Sequence, residues 1–124
     1  MAGPVIPGAL DTSQFMRNVI EVSDKTLDDS ILASPVPALV DFTAAWCPPC
    51  RAIAPHVQAI AAAYGDRLRV ATCDTDGNPD LAARYDIRSL PTLLMFRDGQ
   101  VVGQIVGAVP RARIEALVER AFRT

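Results

Sequence analysis

The order of apolar and polar residues along the chain predicts strands that alternate with helices. The most apolar stretch, PALVDFTA (37–44), lacks the alternation of a half-exposed strand, so we expect a strand covered on both faces of a sheet. VIEVS (19–23) and RLRVATCDTD (67–76) are predicted as two further strands, the first at a sheet edge. TLLMFRDGQVVGQIVG (92–107) is predicted as a β-hairpin that turns at the Asp-Gly pair 98–99.

Four segments carry apolar residues at helical spacing. They are DKTLDDSILAS, which opens near Asp24; Pro49 to Tyr64, with Pro55 inside it; NPDLAARYD, with Asn78 as N-cap; and PRARIEALVERAF, which buries Ile114, Leu117, Val118 and Ala121. The predicted order βαβαβαββα is that of an α/β protein with helices packed on a central sheet. We assign residues 19–124 to this domain and residues 1–18 to an N-terminal extension, where Asp11 is a candidate cap of a short leading helix.

Length and charge narrow the classes of function. A chain of 124 residues, half of them hydrophobic, can bury one core but is too short for two ordinary domains. The formal charge is −2 and the basic residues are scattered, so no basic stripe is available to follow a phosphate backbone. Nucleic acid is therefore not an expected partner.

No apolar run approaches the roughly 20 residues of a membrane span. The first residues, MAGPVIPGALDTSQF, lack the basic segment and the long apolar core of a secretory signal. We therefore expect a cytoplasmic protein that does not enter a membrane.

The chemistry of the chain is concentrated in WCPPC, which ends the most apolar strand and begins a helix. Three cysteines are too few for a disulfide scaffold, and in a reducing compartment a lone CxxC points to redox or metal chemistry. A structural zinc site needs four ligands, and Cys73 and His56 do not supply the usual second ligand pair. We expect no metal site and favour a redox pair.

The spacing of Cys47 and Cys50 suits a reversible disulfide. Residues three apart in the first turn of a helix lie on one side, with Cα atoms near the roughly 5.5 Å that a disulfide prefers. Cys47 is expected at the helix N-cap, where unpaired N–H groups and the helix dipole favour a thiolate. Cys47 is then the nucleophile, and Cys50, one turn inside, is the resolving thiol.

Several further motifs, together with WCPPC, resemble the thioredoxin family over about Val19 to Phe122. They are Asp41 in VDF, AAWCPPCR, Pro55, YDIRSLPTLLMF, the Asp-Gly pair 98–99, and VGA at 106–108. The resemblance implies the thioredoxin fold, a central mixed β-sheet with helices on both faces, and a thiol-disulfide oxidoreductase that reduces protein disulfides through Cys47 and Cys50. It also implies disulfide-containing client proteins, an NADPH-dependent thioredoxin reductase as the electron donor, and no bound cofactor. We expect a monomer.

The resemblance also assigns roles around the cysteines. Asp41, a carboxylate in an apolar strand, is expected to have a raised pKa and to act as the base for Cys50, the alternative being a carboxylate that only accepts a backbone hydrogen bond. Leu90-Pro91 resembles the family's loop with a cis peptide bond, which an X-Pro bond tolerates. The predicted client groove around Cys47 consists of Trp46, Pro48, Pro49, Leu90, Pro91, Gly107 and Ala108.

Three positions depart from the family pattern. Pro48 stands between the cysteines where Gly is common, and because it precedes another proline we expect the helix to begin at Pro49. Thr72 stands where a Lys usually lies beside the buried carboxylate, so proton transfer through Asp41 is expected to be less finely tuned. Thr43 replaces a common aromatic residue, which is expected to leave the site more open.

Two rival functions remain open at this point. An extracytoplasmic thiol reductase of the cytochrome-maturation type often carries WCPPC, but it normally has an N-terminal anchor and a central insertion, neither of which is seen in this chain. A non-catalytic binding module would use the groove and leave its thiols idle. A Cys50→Ser variant separates an enzyme from a binding module, because only an enzyme accumulates mixed disulfides with its clients.

Overall fold

The computed structural model describes residues 18–123. They form one five-stranded sheet in the order β1-β3-β2-β4-β5. The strands are β1 (Val19–Glu21), β2 (Ala38–Thr43), β3 (Arg69–Asp74), β4 (Thr92–Arg97) and β5 (Gln100–Val106). Strand β3 runs parallel to both β1 and β2, whereas β4 is antiparallel to β2 and to β5, so the sheet is mixed, as predicted.

Strand β2 lies at the centre of the sheet and carries the site at its carboxyl end. Its first five residues are buried. This burial explains why the run is apolar except at Asp41, because the side chains on both faces of a covered strand pack against apolar neighbours.

Three helices cover the sheet: α1 (Pro48–Tyr64), α2 (Pro79–Arg84) and α3 (Arg111–Arg123). Helices α1 and α3 share one core with Leu39 of β2, while α2 packs on the opposite face of the sheet with Val40 and Phe42. Helix α3 buries the four predicted residues Ile114, Leu117, Val118 and Ala121. The predicted α/β thioredoxin fold with helices on both faces is therefore confirmed.

The predicted helix that opens near Asp24 is wrong in extent. Only Asp28–Leu32 is helical, as a short π-helical segment that buries Ile31. The preceding residues form a turn, in which the Ser23 amide donates to Thr26 Oγ1 at 2.9 Å. Asp24 does not cap a helix of its own, because its Oδ1 accepts a hydrogen bond from the amide of Leu81 in α2.

Helix α1 starts one residue earlier than expected, whereas α2 starts directly after Asn78, as predicted. Helix α1 begins at Pro48, not Pro49, because proline suits the first helical position, where no backbone donor is needed. Asn78 occupies the N-cap of α2, but its Oδ1 accepts from the amide of Asp24 across a gap of 54 residues and not from its own helix. The leading helix predicted after Asp11 lies outside the described residues.

Candidate redox site

Cys47 and Cys50 form a disulfide at the start of α1, with Cα atoms 5.3 Å apart. Cys47 is the N-cap residue, and its sulfur accepts a hydrogen bond from the Cys50 amide at 3.2 Å. Both cysteines are buried, together with Ala44 and against Leu90. The pair can therefore store two electrons as two thiols or release them as a disulfide, with one sulfur at the positive end of the helix dipole.

Asp41 lies on β2 and is only 2% exposed. Desolvation by burial raises the pKa of Asp41 from 3.8 to about 7. No group in the described part of the chain donates a hydrogen bond to its Oδ1. A carboxyl group with this pKa can exchange a proton near neutral pH.

Asp41 and Cys50 both line one pocket of about 460 Å³. Its wall also includes Arg51 from α1, Thr43 from β2 and Thr72 from β3. Asp41 and Thr72 are in register on β2 and β3, so the residue beside the carboxylate is a hydroxyl and not a cation. The Arg51 guanidinium donates to the Ala45 carbonyl at 2.7 Å at the rim.

The second wall of the site comes from the loop before β4. The Leu90-Pro91 peptide bond is cis. The Pro91 carbonyl accepts a hydrogen bond from the Gly107 amide at 2.8 Å, which ties this loop to the end of β5. Gly107 has a φ of +94°, a conformation that L side chains rarely adopt.

The predicted groove residues differ in accessibility. Trp46, Pro48, Pro49 and Ala108 are exposed, Leu90 and Gly107 are half-buried, and Pro91 is buried. Trp46 is 64% exposed, which excludes its role as a core aromatic. The chain therefore presents an exposed tryptophan directly beside the nucleophile candidate Cys47.

Sequence reasoning missed Asp76, whose Oδ2 accepts a hydrogen bond from Trp46 Nε1 at 2.8 Å. Asp76 follows the carboxyl end of β3, and Trp46 follows the carboxyl end of β2, which is parallel to β3. Since parallel strands end at the same edge of a sheet, an indole N–H donor after β2 and a carboxylate after β3 are the sequence signal for this contact.

Cys73, the third cysteine, does not line the pocket shared by Asp41 and Cys50. Cys73 is buried and free, and desolvation, with smaller contributions from Asp24 and Asp74, raises its pKa to about 11. Within residues 18–123 no three metal-ligating side chains cluster. In that same range, no helix has the length and apolar character needed to cross a membrane.

The sequence of this chain matches a family model and several known proteins. The family model for thioredoxin matches residues 18–120. Thioredoxin 1 of Synechococcus elongatus is 46% identical over 99 residues, which cover 80% of this chain and 92% of that protein. Thioredoxin 1 of Nostoc sp. is 45% identical over 105 residues, covering 85% of this chain and 98% of that protein.

A third relative extends the match to a plastid protein. The chloroplastic M-type thioredoxin of Chlamydomonas reinhardtii is 48% identical over 99 residues, which cover 80% of this chain and 71% of that protein. The family model and these three relatives match most of the chain. The order of the strands and the cysteine pair at the start of α1 agree with that match. This chain belongs to the thioredoxin family.

Proposed function

We propose that the protein reduces disulfides in client proteins by dithiol-disulfide exchange. The observation that carries this function is the Cys47–Cys50 disulfide at the start of α1. In one cycle the client disulfide gains two electrons and becomes two thiols, while the two cysteines lose two electrons and form their own disulfide.

Cys47 is the nucleophile. Its place at the N-cap, with the Cys50 amide aimed at its sulfur, favours the thiolate in the reduced protein. The thiolate attacks one sulfur of the client disulfide, and the other client sulfur leaves as a thiolate. The product is a mixed disulfide between Cys47 and the client.

Cys50 resolves the mixed disulfide with Asp41 as its base. Both residues line the same pocket. Asp41 takes the proton from the Cys50 thiol, the resulting thiolate attacks the sulfur of Cys47, and the client leaves as a thiolate. The pKa of Asp41, raised by burial to about 7, lets the carboxylate accept this proton near neutral pH.

The client lies in the groove predicted around Cys47. Exposed Trp46 and Pro49 form one side, and half-buried Leu90 and Gly107 form the other. An extended client chain can approach the backbone closely at Gly107, because no atom lies within 4 Å of where a side chain would begin. The groove also includes the remaining predicted residues, Pro48, Pro91 and Ala108.

Electrons return through a separate protein. The family membership favours an NADPH-dependent thioredoxin reductase as the donor, and the dithiol itself carries both electrons, so no bound cofactor is needed. A monomer in the cytoplasm, composed of an extension at residues 1–18 and the domain at residues 19–124, remains part of this proposal.

An insulin reduction assay tests the function. With dithiothreitol as the donor, we expect the wild-type protein to accelerate the precipitation of insulin chains, and Cys47→Ser to abolish the acceleration. Repeating the assay with NADPH and a thioredoxin reductase tests the donor. Activity with neither donor would refute the reductase, whereas activity with dithiothreitol alone would remove only the assigned donor.

The binding-module alternative makes a different prediction for Cys50→Ser. In the reductase, loss of the resolving thiol leaves clients attached to Cys47 as mixed disulfides that dithiothreitol releases. A binding module would hold the same amount of client with and without reductant. Cys73→Ser is the matched control, because Cys73 is buried away from the groove.

A further inference from the structure

Polar side chains form a row across three strands at the level of Asp41. Asp41 on β2 is in register with Thr72 on β3, and Thr72 is in register with Glu21 on β1. Residues in register on neighbouring strands project from the same face of the sheet. The row therefore leads from the buried carboxyl of Asp41 to the exposed carboxylate of Glu21 at the edge of the sheet.

Two pockets meet at this row. The pocket that contains Asp41 has a volume of about 460 Å³, and a second pocket of about 380 Å³ contains Glu21. Thr43, Thr72 and Asp74 line both pockets. Asp74 is exposed, so a carboxylate in contact with solvent forms part of the wall of the Asp41 pocket.

A proton on the buried carboxyl group of Asp41 needs a route to solvent. Asp41 is 2% exposed, and its Oδ1 accepts no hydrogen bond from the described residues. A pocket of this volume is large enough for several water molecules, each of which occupies about 30 Å³ in the liquid. Asp41 lines this pocket, so a proton on its carboxyl group can leave through it.

We propose that Thr72 and Asp74 form the route by which the proton taken from Cys50 passes from Asp41 to solvent. The inference rests on the proposed function of Asp41 as the base for Cys50. The Thr72 hydroxyl holds water between the two carboxyl groups, and the Asp74 carboxylate accepts the proton and releases it to bulk water. Asp41 is then ionised again, and the proton that Cys50 lost is available in the solvent to protonate a client thiolate. Thr72 and Asp74 are positioning residues, since neither touches the reacting sulfurs.

The other groups around Asp41 do not offer this outlet. Arg51, the charged residue that α1 contributes to the pocket, cannot accept a proton because its guanidinium has only donors. Strand β4 places Leu93, which is uncharged, opposite Asp41. Glu21 lies one strand beyond Thr72 and lines only the second pocket.

Thr43 is the other hydroxyl in the Asp41 pocket. Thr72 is on the neighbouring strand directly opposite Asp41, at the strand spacing of about 4.8 Å. Thr43 is two residues further along β2, at about 6.6 Å between Cα atoms. The structure therefore favours Thr72 as the first hydroxyl on the route.

The experiment follows the two steps of exchange with dithiobis(nitrobenzoate) in a stopped-flow spectrophotometer. The reduced protein releases one coloured thiolate when Cys47 attacks and a second when Cys50 resolves the mixed disulfide. Since general acid–base catalysis contributes about 100-fold or more, we expect Thr72→Val and Asp74→Asn each to slow the second release by roughly three- to ten-fold at pH 7. The first release should stay within about two-fold of wild type, because Cys47 attack needs no base.

Two matched variants separate the route from general disturbance. Thr43→Val makes the same chemical change in the same pocket, and Glu21→Gln removes one negative charge from the neighbouring pocket. We expect both to leave the second release unchanged. Thr72→Ser should restore the rate lost in Thr72→Val, and the slowed variants should show a larger solvent deuterium isotope effect than wild type. If Thr72→Val does not fold, Thr72→Ser compared with Thr72→Ala gives the same contrast.

Asp41→Asn distinguishes failure of the route from failure of the base. A slow second release in Asp41→Asn with normal Thr72→Val and Asp74→Asn would overturn the route and leave the base in place. A normal second release in Asp41→Asn would overturn both. Equal slowing by Thr43→Val and Thr72→Val would show a general effect of the pocket and would also overturn the route.

Discussion

The backbone amide of Cys50 donates a hydrogen bond to the sulfur of Cys47 over 3.2 Å. In the reduced protein this donor and the start of α1 stabilise the ionised form of Cys47. We expect the pKa of Cys47 to lie below the value of about 8.5 that is typical of a free thiol.

The rate of alkylation by iodoacetamide as a function of pH measures this pKa. Cys50→Ser is the suitable background, because it keeps the amide while leaving Cys47 as the reactive thiol. A half-maximal rate at the pH of an ordinary thiol would contradict the role of Cys47 as the activated nucleophile.

Burial of Asp41 predicts a specific dependence of stability on pH. Its pKa is raised from 3.8 to about 7, so between about pH 4 and pH 7 the folded protein holds a proton that the unfolded chain has lost. The free energy of unfolding should therefore fall as the pH rises through this window, by about 4 kcal/mol at roughly 1.4 kcal/mol per pH unit.

Asp41→Asn removes the ionisation and should be more stable than wild type at pH 8, with the difference shrinking towards pH 4. Urea unfolding at several pH values gives the measurement. Asp98→Asn is the control, since it makes the same substitution at a carboxylate whose side chain is 90% exposed. Parallel pH profiles for Asp41→Asn and wild type would refute the raised pKa.

Thr72→Lys should lower the pKa of Asp41. Thr72 lies in register beside Asp41 and lines its pocket, so an ammonium group there would favour the ionised carboxylate. We expect a shift of about one unit or more, as is common for a carboxylate beside a cation. Carbon-13 NMR of the Asp41 carboxyl during a pH titration measures it, and Thr72→Met controls for side-chain length. An unchanged titration midpoint in Thr72→Lys would show that position 72 does not act on Asp41.

Asp76→Ala should loosen the groove without changing the cysteines. Asp76 accepts the hydrogen bond of the Trp46 indole, and an intramolecular hydrogen bond contributes about 0.5–1.5 kcal/mol. We therefore expect the KM for a protein client to rise by roughly two- to ten-fold, with Cys47 alkylation unchanged. Because Trp46 is the single tryptophan, fluorescence anisotropy reports its mobility directly. Unchanged anisotropy together with an unchanged KM would count against a role for Asp76.

Gly103 lets α3 pack closely on β5. A Cβ atom added at Gly103 would lie 2.5 Å from Leu117 Cδ1, so Gly103→Ala requires the Leu117 side chain to move. We expect a loss of stability of about 1 kcal/mol, at the low end for overpacking because a flexible methyl group is displaced. Chemical unfolding of Gly103→Ala, Leu117→Ala and the double variant measures the coupling, and strictly additive losses would contradict the contact.

Local patterns were sufficient for most of the fold. The apolar run of β2 predicted a strand covered on both faces, and the Asp-Gly pair 98–99 predicted the hairpin turn. The segment after Asp24 was predicted poorly, because the Asp24 side chain serves a distant helix. The hydrogen-bond partner of such a polar side chain is set by tertiary contacts, which a local sequence pattern does not contain.

The sequence by itself determined the chemistry of the site: two cysteines at the spacing of one helical turn, and a carboxylate within an apolar strand. These follow from local spacing and burial, which a linear pattern carries. The tertiary structure alone decided the strand order, which brings Thr72 beside Asp41 and Asp76 beside Trp46. Such neighbours depend on which strands pair, and strand pairing is a long-range choice that no single segment encodes.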